Sequence, residues 1–287
     1  MGTWDRSTPW CQGAILTAEA SNAFGLVSDL SADRTAVIVV SHDCDLAQLP
    51  EHEKAVEVIV GRFVDKADGN FEHCKNVRCL HLTMSAGSDP CTIELEPRNR
   101  VPVPKCAKDA ASMADFAPAA EYSLSPRELR TLRRWLAARY DRPAFSDEFE
   151  KRIKETGVAE RLARAFRDTG RYIPAVYFDV DDGQEITRSG ALDPYVLGIT
   201  LLYLTHEDAQ AAEGAANATA ERIREIFRSR CIAKNESGVD EWRWIELQFV
   251  EVTSDQALTY AQSIQLVRWN ADYVSLRANP EQPTENR

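Results

Sequence analysis

Between residues 13 and 104 the chain repeats one pattern, short runs rich in Val, Ile and Leu separated by turn-forming residues. The runs are "GAILTAE", "TAVIVVS", "KAVEVIVGRFV", "VRCLHLTM", "CTIELE" and "NRVPVP", and the breaks include "KADGN", "SAGSDP" and "EPRN". β-Branched side chains suit a pleated, half-buried surface, while Gly, Asn, Asp and Pro supply turn geometry. Several such strands in close succession predict a small barrel or rolled sheet. Within "VRCLHLTM" the alternation places Val77, Cys79, His81 and Thr83 on one face. Arg78, Leu80, Leu82 and Met84 take the other.

The pattern then changes. "CAKDAASMADFAPAAEY" is a polar, Ala-rich connector, and "SPRELRTLRRWLAARY" begins a helix. Ser125 is its predicted N-cap, Pro126 its first helical residue, and Glu128 the partner in a capping box. Leu129, Leu132, Leu136 and Trp135 form the apolar stripe, with Arg127, Arg130, Arg133 and Arg134 pointing elsewhere. Two further helices follow, one capped by Ser146 and one ended by Gly170. Beyond them, "IPAVYFDV" and "QEITRSG" read as strands joined by an Asp-Asp-Gly turn. A strand "YVLGITLLYLT", a long Ala-rich helix, a strand "WRWIELQFVEV" and a helix capped by Ser254 complete the prediction. In that last strand Trp242, Trp244, Glu246, Gln248 and Val250 share one side. The fold class is therefore α+β: a β-rich roll or barrel, a helical segment, and a mostly antiparallel sheet with packed helices. The expected divisions are a roll over 10–106, a connector over 107–124, a basic helical segment over 125–171, an α+β lobe over 172–275 and a disordered tail over 276–287.

Composition limits the function classes. A length of 287 residues is enough for two domains, and 44% hydrophobic with 28% charged residues is ordinary for a globular protein. No apolar run reaches the ~18 residues of a membrane span, and no leader pattern precedes the first strand, so a cytoplasmic protein without a membrane partner is expected. Seven irregularly spaced cysteines argue against a secreted disulfide framework. Six of the seven, and four of the five histidines, lie within the first 106 residues, so thiol or imidazole chemistry belongs there. The net charge of −11 argues against non-specific DNA coating. Between Arg127 and Arg171, however, 13 Lys and Arg stand against 8 Asp and Glu, a net of +5 that leaves −16 on the remainder.

Three stretches carry candidate chemistry. In "TAVIVVSHDCDLAQL" an apolar strand delivers Ser41, His42, Asp43, Cys44 and Asp45. Asp43, Asp45 and His42 form a candidate divalent-metal or acid–base site, Cys44 a candidate nucleophile, and the plainer alternative is a helix-capping turn. "HCKNVRCLH" holds His73, Cys74, Cys79 and His81, four zinc-type ligands, although no C-x-x-C knuckle occurs in the chain. The helical block offers Arg127, Arg130, Arg134, Arg139 and Arg142 as binding residues, because the planar guanidinium donates paired hydrogen bonds to phosphate or carboxylate. A solvated face balanced by nearby acids is the plain alternative there.

"QGAIL", followed by "DRTAVIVVSHD", resembles the start of the PemK/MazF-type toxins, small SH3-like barrels that cleave RNA. The similarity covers about residues 12 to 47, with Ala14 where that family has Asp and Thr35 where it has Pro. It implies a barrel and a link to RNA. Asp43 and Asp45 also mimic the D-x-D of haloacid-dehalogenase-type phosphatases, but Ser41 and His42 interrupt the strand-to-Asp junction and Leu46-Ala47 replaces the following Gly-Thr. The phosphate loop, the dinucleotide fingerprint, the nucleophile elbow and the H-E-x-x-H zinc motif are all absent from the sequence. The leading expectation is a non-catalytic binding or assembly subunit of an intracellular, bacterial-type multi-protein system. It would dock a protein, or alternatively nucleic acid, through the basic helical face. The alternative is a metal-dependent nuclease or phosphodiesterase built on Ser41 to Asp45, with a divalent ion as cofactor.

Overall fold

The structure is a computed structural model that describes residues 4–27, 34–108, 110–138, 145–184, 186–206, 208–259 and 266–269. The chain forms two compact units, one of residues 1–67 and 78–139, the other of 68–77 and 140–287. It is α+β, as the sequence pattern predicts. Arg139, Arg142 and the tail over 276–287 lie outside the described residues.

In the first unit a short helix α1 (Ala18–Ala23), capped by Thr17, precedes β1 (Thr35–Val39) and the one-turn helix α2 (Asp43–Leu46). Four strands follow, β2 (Ala55–Val64), β3 (Leu80–Ala86), β4 (Asp89–Leu95) and β5 (Arg100–Pro104), then the short β6 (Tyr122–Ser123). All pairings are antiparallel, in the order β1-β2-β4-β3-β6, with β5 also on β2. The result is a curled half-barrel. The ten-residue β2 makes this possible by changing partner. Residues 55–59 pair with β5 and 62–64 with β4. Gly61 stands at the switch, where a Cβ would lie 2.4 Å from the Glu94 carbonyl oxygen, so only glycine permits the approach. Val37, Val39, Val56, Val58, Leu46 and Val103 pack with Trp4, Trp10 and Met113 into a core. Each such fully buried aliphatic side chain contributes about 1.5–3 kcal/mol. Helix α3 (Pro126–Ala138) closes the unit, burying Leu132 and Trp135, with Ser125 Oγ accepting the Glu128 N–H at 3.2 Å.

The second unit contains α4 (Asp147–Glu155) and α5 (Val158–Thr169), then β7 (Ala175–Val180), β8 (Tyr195–Tyr203), the 23-residue α6 (Ala209–Cys231), β9 (Ile232–Lys234), β10 (Asp240–Trp242), β11 (Ile245–Ser254) and β12 (Val267–Arg268). The main sheet runs β11-β8-β7-β12, with β11 parallel to β8 and the other pairs antiparallel. Phe149, Phe166, Phe178, Ile199, Ile223 and Phe227 form the centre of its core.

Four details differ from the sequence reading, the first being that "GAILTAE" makes only isolated bridges at Ile15 and Leu16 before Ala18 and Glu19 enter α1. "QEITRSG" is not a strand among its described residues, because Asp181 turns the chain at φ 51 and is held by Arg188 rather than by a hairpin partner. The strand after "WRW" begins only at Ile245, and a register shift between Leu247 and Phe249 breaks the predicted single face. Of the predicted final helix, residues 260–265 lie outside the described residues, while 255–257 form a turn and Val267–Arg268 a strand on β7. The short segment 68–77 belongs to this unit although β2 and β3 flank it. Gly69 and Gly170 sit back to back, and a Cβ on either would meet the other's backbone within 2.8 Å.

Candidate functional site

The stretch Ser41 to Asp45 forms a capped turn. Val40 and Ser41 donate their N–H groups to the Glu57 carbonyl, and Ser41 Oγ accepts the Glu57 N–H at 2.8 Å. His42 is the N-cap of α2, its Nδ1 accepting the Cys44 N–H at 3.2 Å. Asp43 and Asp45 occupy the first turn, where carboxylates complement the helix dipole. Asp43 Oδ1 accepts the Gln12 N–H at 2.8 Å, and Asp43 Oδ2 pairs with Arg133 Nη2 at 3.0 Å. At the other end of α2 the fully buried Lys105 donates to the carbonyls of Asp45, Leu46 and Gln48, with its ammonium 4.8 Å from the Trp4 ring centre. Burial lowers the Lys105 pKa, offset in part by Glu53 and Asp45. Cys44 and Cys11 are both exposed, and the Cys11 thiol pKa is raised by partial burial and by the Asp43 carboxylate, with Arg133 opposing. The donor atoms of His42, Asp43 and Asp45 do not converge as a set of three metal ligands.

The basic helix has a clear division of faces. Arg127, Arg130 and Arg134 recur at i, i+3 and i+7, on the side away from buried Leu132 and Trp135. Arg130 and Arg134 are exposed, while Arg127 is half-buried. Arg133 is turned toward Asp43 and Gln12 instead. Farther along the basic segment charges are used internally. Arg152 is buried between the Tyr195 and Trp244 rings and donates to the carbonyls of Asp193 and Trp244. Arg164 pairs with Glu160 and Arg167 with Asp68.

A second cluster forms across three strands of the first unit. His81 on β3 lies directly opposite Glu94 on β4, and Glu94 opposite Arg62 on β2. His81 Nε2 is 3.0 Å from Glu94 Oε2, and Arg62 Nη2 is 2.6 Å from Glu94 Oε1. Cys79, just before β3, completes a group of Cys79, His81 and Glu94 whose ligand atoms all lie within 4.8 Å of one another. It is the one such group among the described residues. Cys79 and His81 are buried, and the Glu94 side chain is 14% exposed. Burial alone would raise the Glu94 pKa, but the His81 hydrogen bond and the Arg62 guanidinium outweigh it and hold the carboxyl below its ordinary value. The shared face of Cys79 and His81 is legible in the sequence; Glu94 is not, because its place is set by the pairing of β3 with β4.

The other two residues of "HCKNVRCLH" belong to the second unit. His73 Nε2 lies 2.7 Å from the Arg171 carbonyl, and His73 and Cys74 both adopt positive φ. Beside them Lys75, fully enclosed, donates to the carbonyls of Gly170 and Ile173 at the end of α5. Burial pushes its pKa down to about 7, with Glu72 opposing that shift. Among the described residues no helix is long and apolar enough to cross a membrane. No family model matches the chain, and no curated protein or solved structure matches it either.

Proposed function

We propose that this chain is a non-catalytic docking subunit that engages a carboxylate-rich protein surface through the outer face of α3. The observation that carries this reading is the pair Arg130 and Arg134. They lie one turn apart, exposed, and neither has a hydrogen bond or ion pair among the described residues. Arg127 extends the same stripe. Guanidinium groups at this spacing suit bidentate contacts with side-chain carboxylates. The net charge of −11 opposes the long phosphate field of a nucleic acid more than it opposes a short acidic segment.

Fluorescence anisotropy with a labelled polyglutamate peptide and a labelled single-stranded RNA tests this. The wild-type chain binds the peptide, and Arg130→Glu with Arg134→Glu abolishes binding without loss of helical circular dichroism. Tighter binding to the RNA would replace the protein partner by nucleic acid. Binding to neither probe removes the docking role.

A further inference from the structure

We propose that Cys79, His81 and Glu94 form a binding site for a zinc-type divalent transition-metal ion, held in the half-barrel independently of the α3 face. The argument begins with register. Antiparallel pairing sets His81 and Glu94 opposite one another, and the turn into β3 brings the Cys79 thiol to the same place. Donors around tetrahedral zinc, at about 2.0–2.3 Å from the ion, are separated by about 3.3–3.8 Å. The three donors here lie within 4.8 Å of one another, so small side-chain rotations bring them to a common centre.

The donor types select the ion. One thiolate, one imidazole and one carboxylate form a borderline-soft set that favours zinc over magnesium or calcium, which take all-oxygen shells. Binding deprotonates the Cys79 thiol, releasing one proton to solvent. A divalent ion with one thiolate and one carboxylate is then neutral, so the buried cluster carries no net charge. Arg62 is the outer support, since it already donates to Glu94 Oε1 while Oε2 faces His81. Donors behind a metal ligand of this kind fix its orientation. Three protein ligands leave one tetrahedral position for water.

The metal-free full chain, reduced and dialysed against zinc chloride, gives the test through bound zinc measured by plasma mass spectrometry. Cobalt chloride provides the spectroscopic probe. The wild type binds one zinc per chain, and its cobalt form shows a thiolate-to-metal charge-transfer band. Cys79→Ser eliminates that band and weakens zinc binding roughly tenfold or more. Glu94→Gln weakens binding likewise but keeps the band. Cys91→Ser, on β4 but outside the group, changes neither. Absence of stoichiometric zinc in the wild type, or an unaltered band in Cys79→Ser, overturns the proposal. If Cys79→Ser does not fold, wild-type affinity in Glu94→Gln overturns it equally.

Discussion

Arg133 and Asp43, ninety positions apart in sequence, meet at 3.0 Å, and the same guanidinium reaches Gln12 Oε1 at 2.7 Å. This contact ties α3 to the turn that follows β1, so Asp43 acts as an organiser of backbone as well as an anion. Both charged side chains are more than a third exposed, and a screened pair of this kind contributes below about 1 kcal/mol. Asp43 additionally satisfies the Gln12 N–H. Asp43→Ala therefore lowers unfolding free energy by about 1–2 kcal/mol, and Arg133→Ala by about 0.5 kcal/mol. Urea titrations of both variants and the double variant measure this. Equal losses from the two single changes would contradict the backbone role of Asp43.

Lys105 closes the same turn from inside the core. Its ammonium serves three carbonyls of α2 and its continuation. Removing it takes a charged donor from the Leu46 and Gln48 carbonyls, at about 1–3 kcal/mol each, while the Asp45 carbonyl keeps the Gln48 N–H at 3.2 Å. Lys105→Met keeps most of the stem and loses the charge, so it is destabilising by about 2–4 kcal/mol in chemical denaturation. A variant as stable as wild type would show that the ammonium is dispensable.

Lys75 makes stability depend on pH in a specific direction. Its folded pKa is depressed to about 7, whereas an unfolded lysine titrates near 10.4. Between those values the unfolded chain holds the proton and the folded chain does not, so stability rises with pH across that window. Below about pH 7 both states are protonated and this contribution is flat. A neutral amine still has two N–H groups for the Gly170 and Ile173 carbonyls. Urea midpoints from pH 6 to 10 should rise more steeply in wild type than in Lys75→Met. Parallel profiles would refute the assignment.

Gly61 permits β2 to change partners. A Cβ there meets the Glu94 carbonyl and the Leu95 side chain, so Gly61→Ala forces β2 and β4 apart. The expected cost is about 2–3 kcal/mol, read from the urea midpoint. A change below about 0.5 kcal/mol would mean that the strands adjust freely.

The local signals in the sequence report local structure well. Ser125 and Pro126 mark the start of α3, and the Ala36–Val40 run marks β1, because caps and strand propensity act over a few residues. Contacts set by long-range pairing are hidden. Glu94 joins Cys79 and His81 only through the β3–β4 register, and nothing near residue 94 names His81. "KADGN" reads only as a turn between strands, yet Lys75 a few residues on is anchored to the Gly170 carbonyl at the end of α5. Lys75 and Lys105 are written as surface letters, and only the carbonyls at helix ends explain their burial. Asp181 mimics a hairpin turn because Asp-Asp-Gly favours positive φ, but its carboxylate is taken up by Arg188 and the Val196 N–H.

The most direct test of the docking role is the salt dependence of polyglutamate binding by the wild type and by the Arg130→Glu, Arg134→Glu double variant. Affinity of the wild type falls steadily as sodium chloride is raised, and the variant shows no measurable binding at any salt concentration. Identical curves for the two proteins would contradict docking through the α3 face.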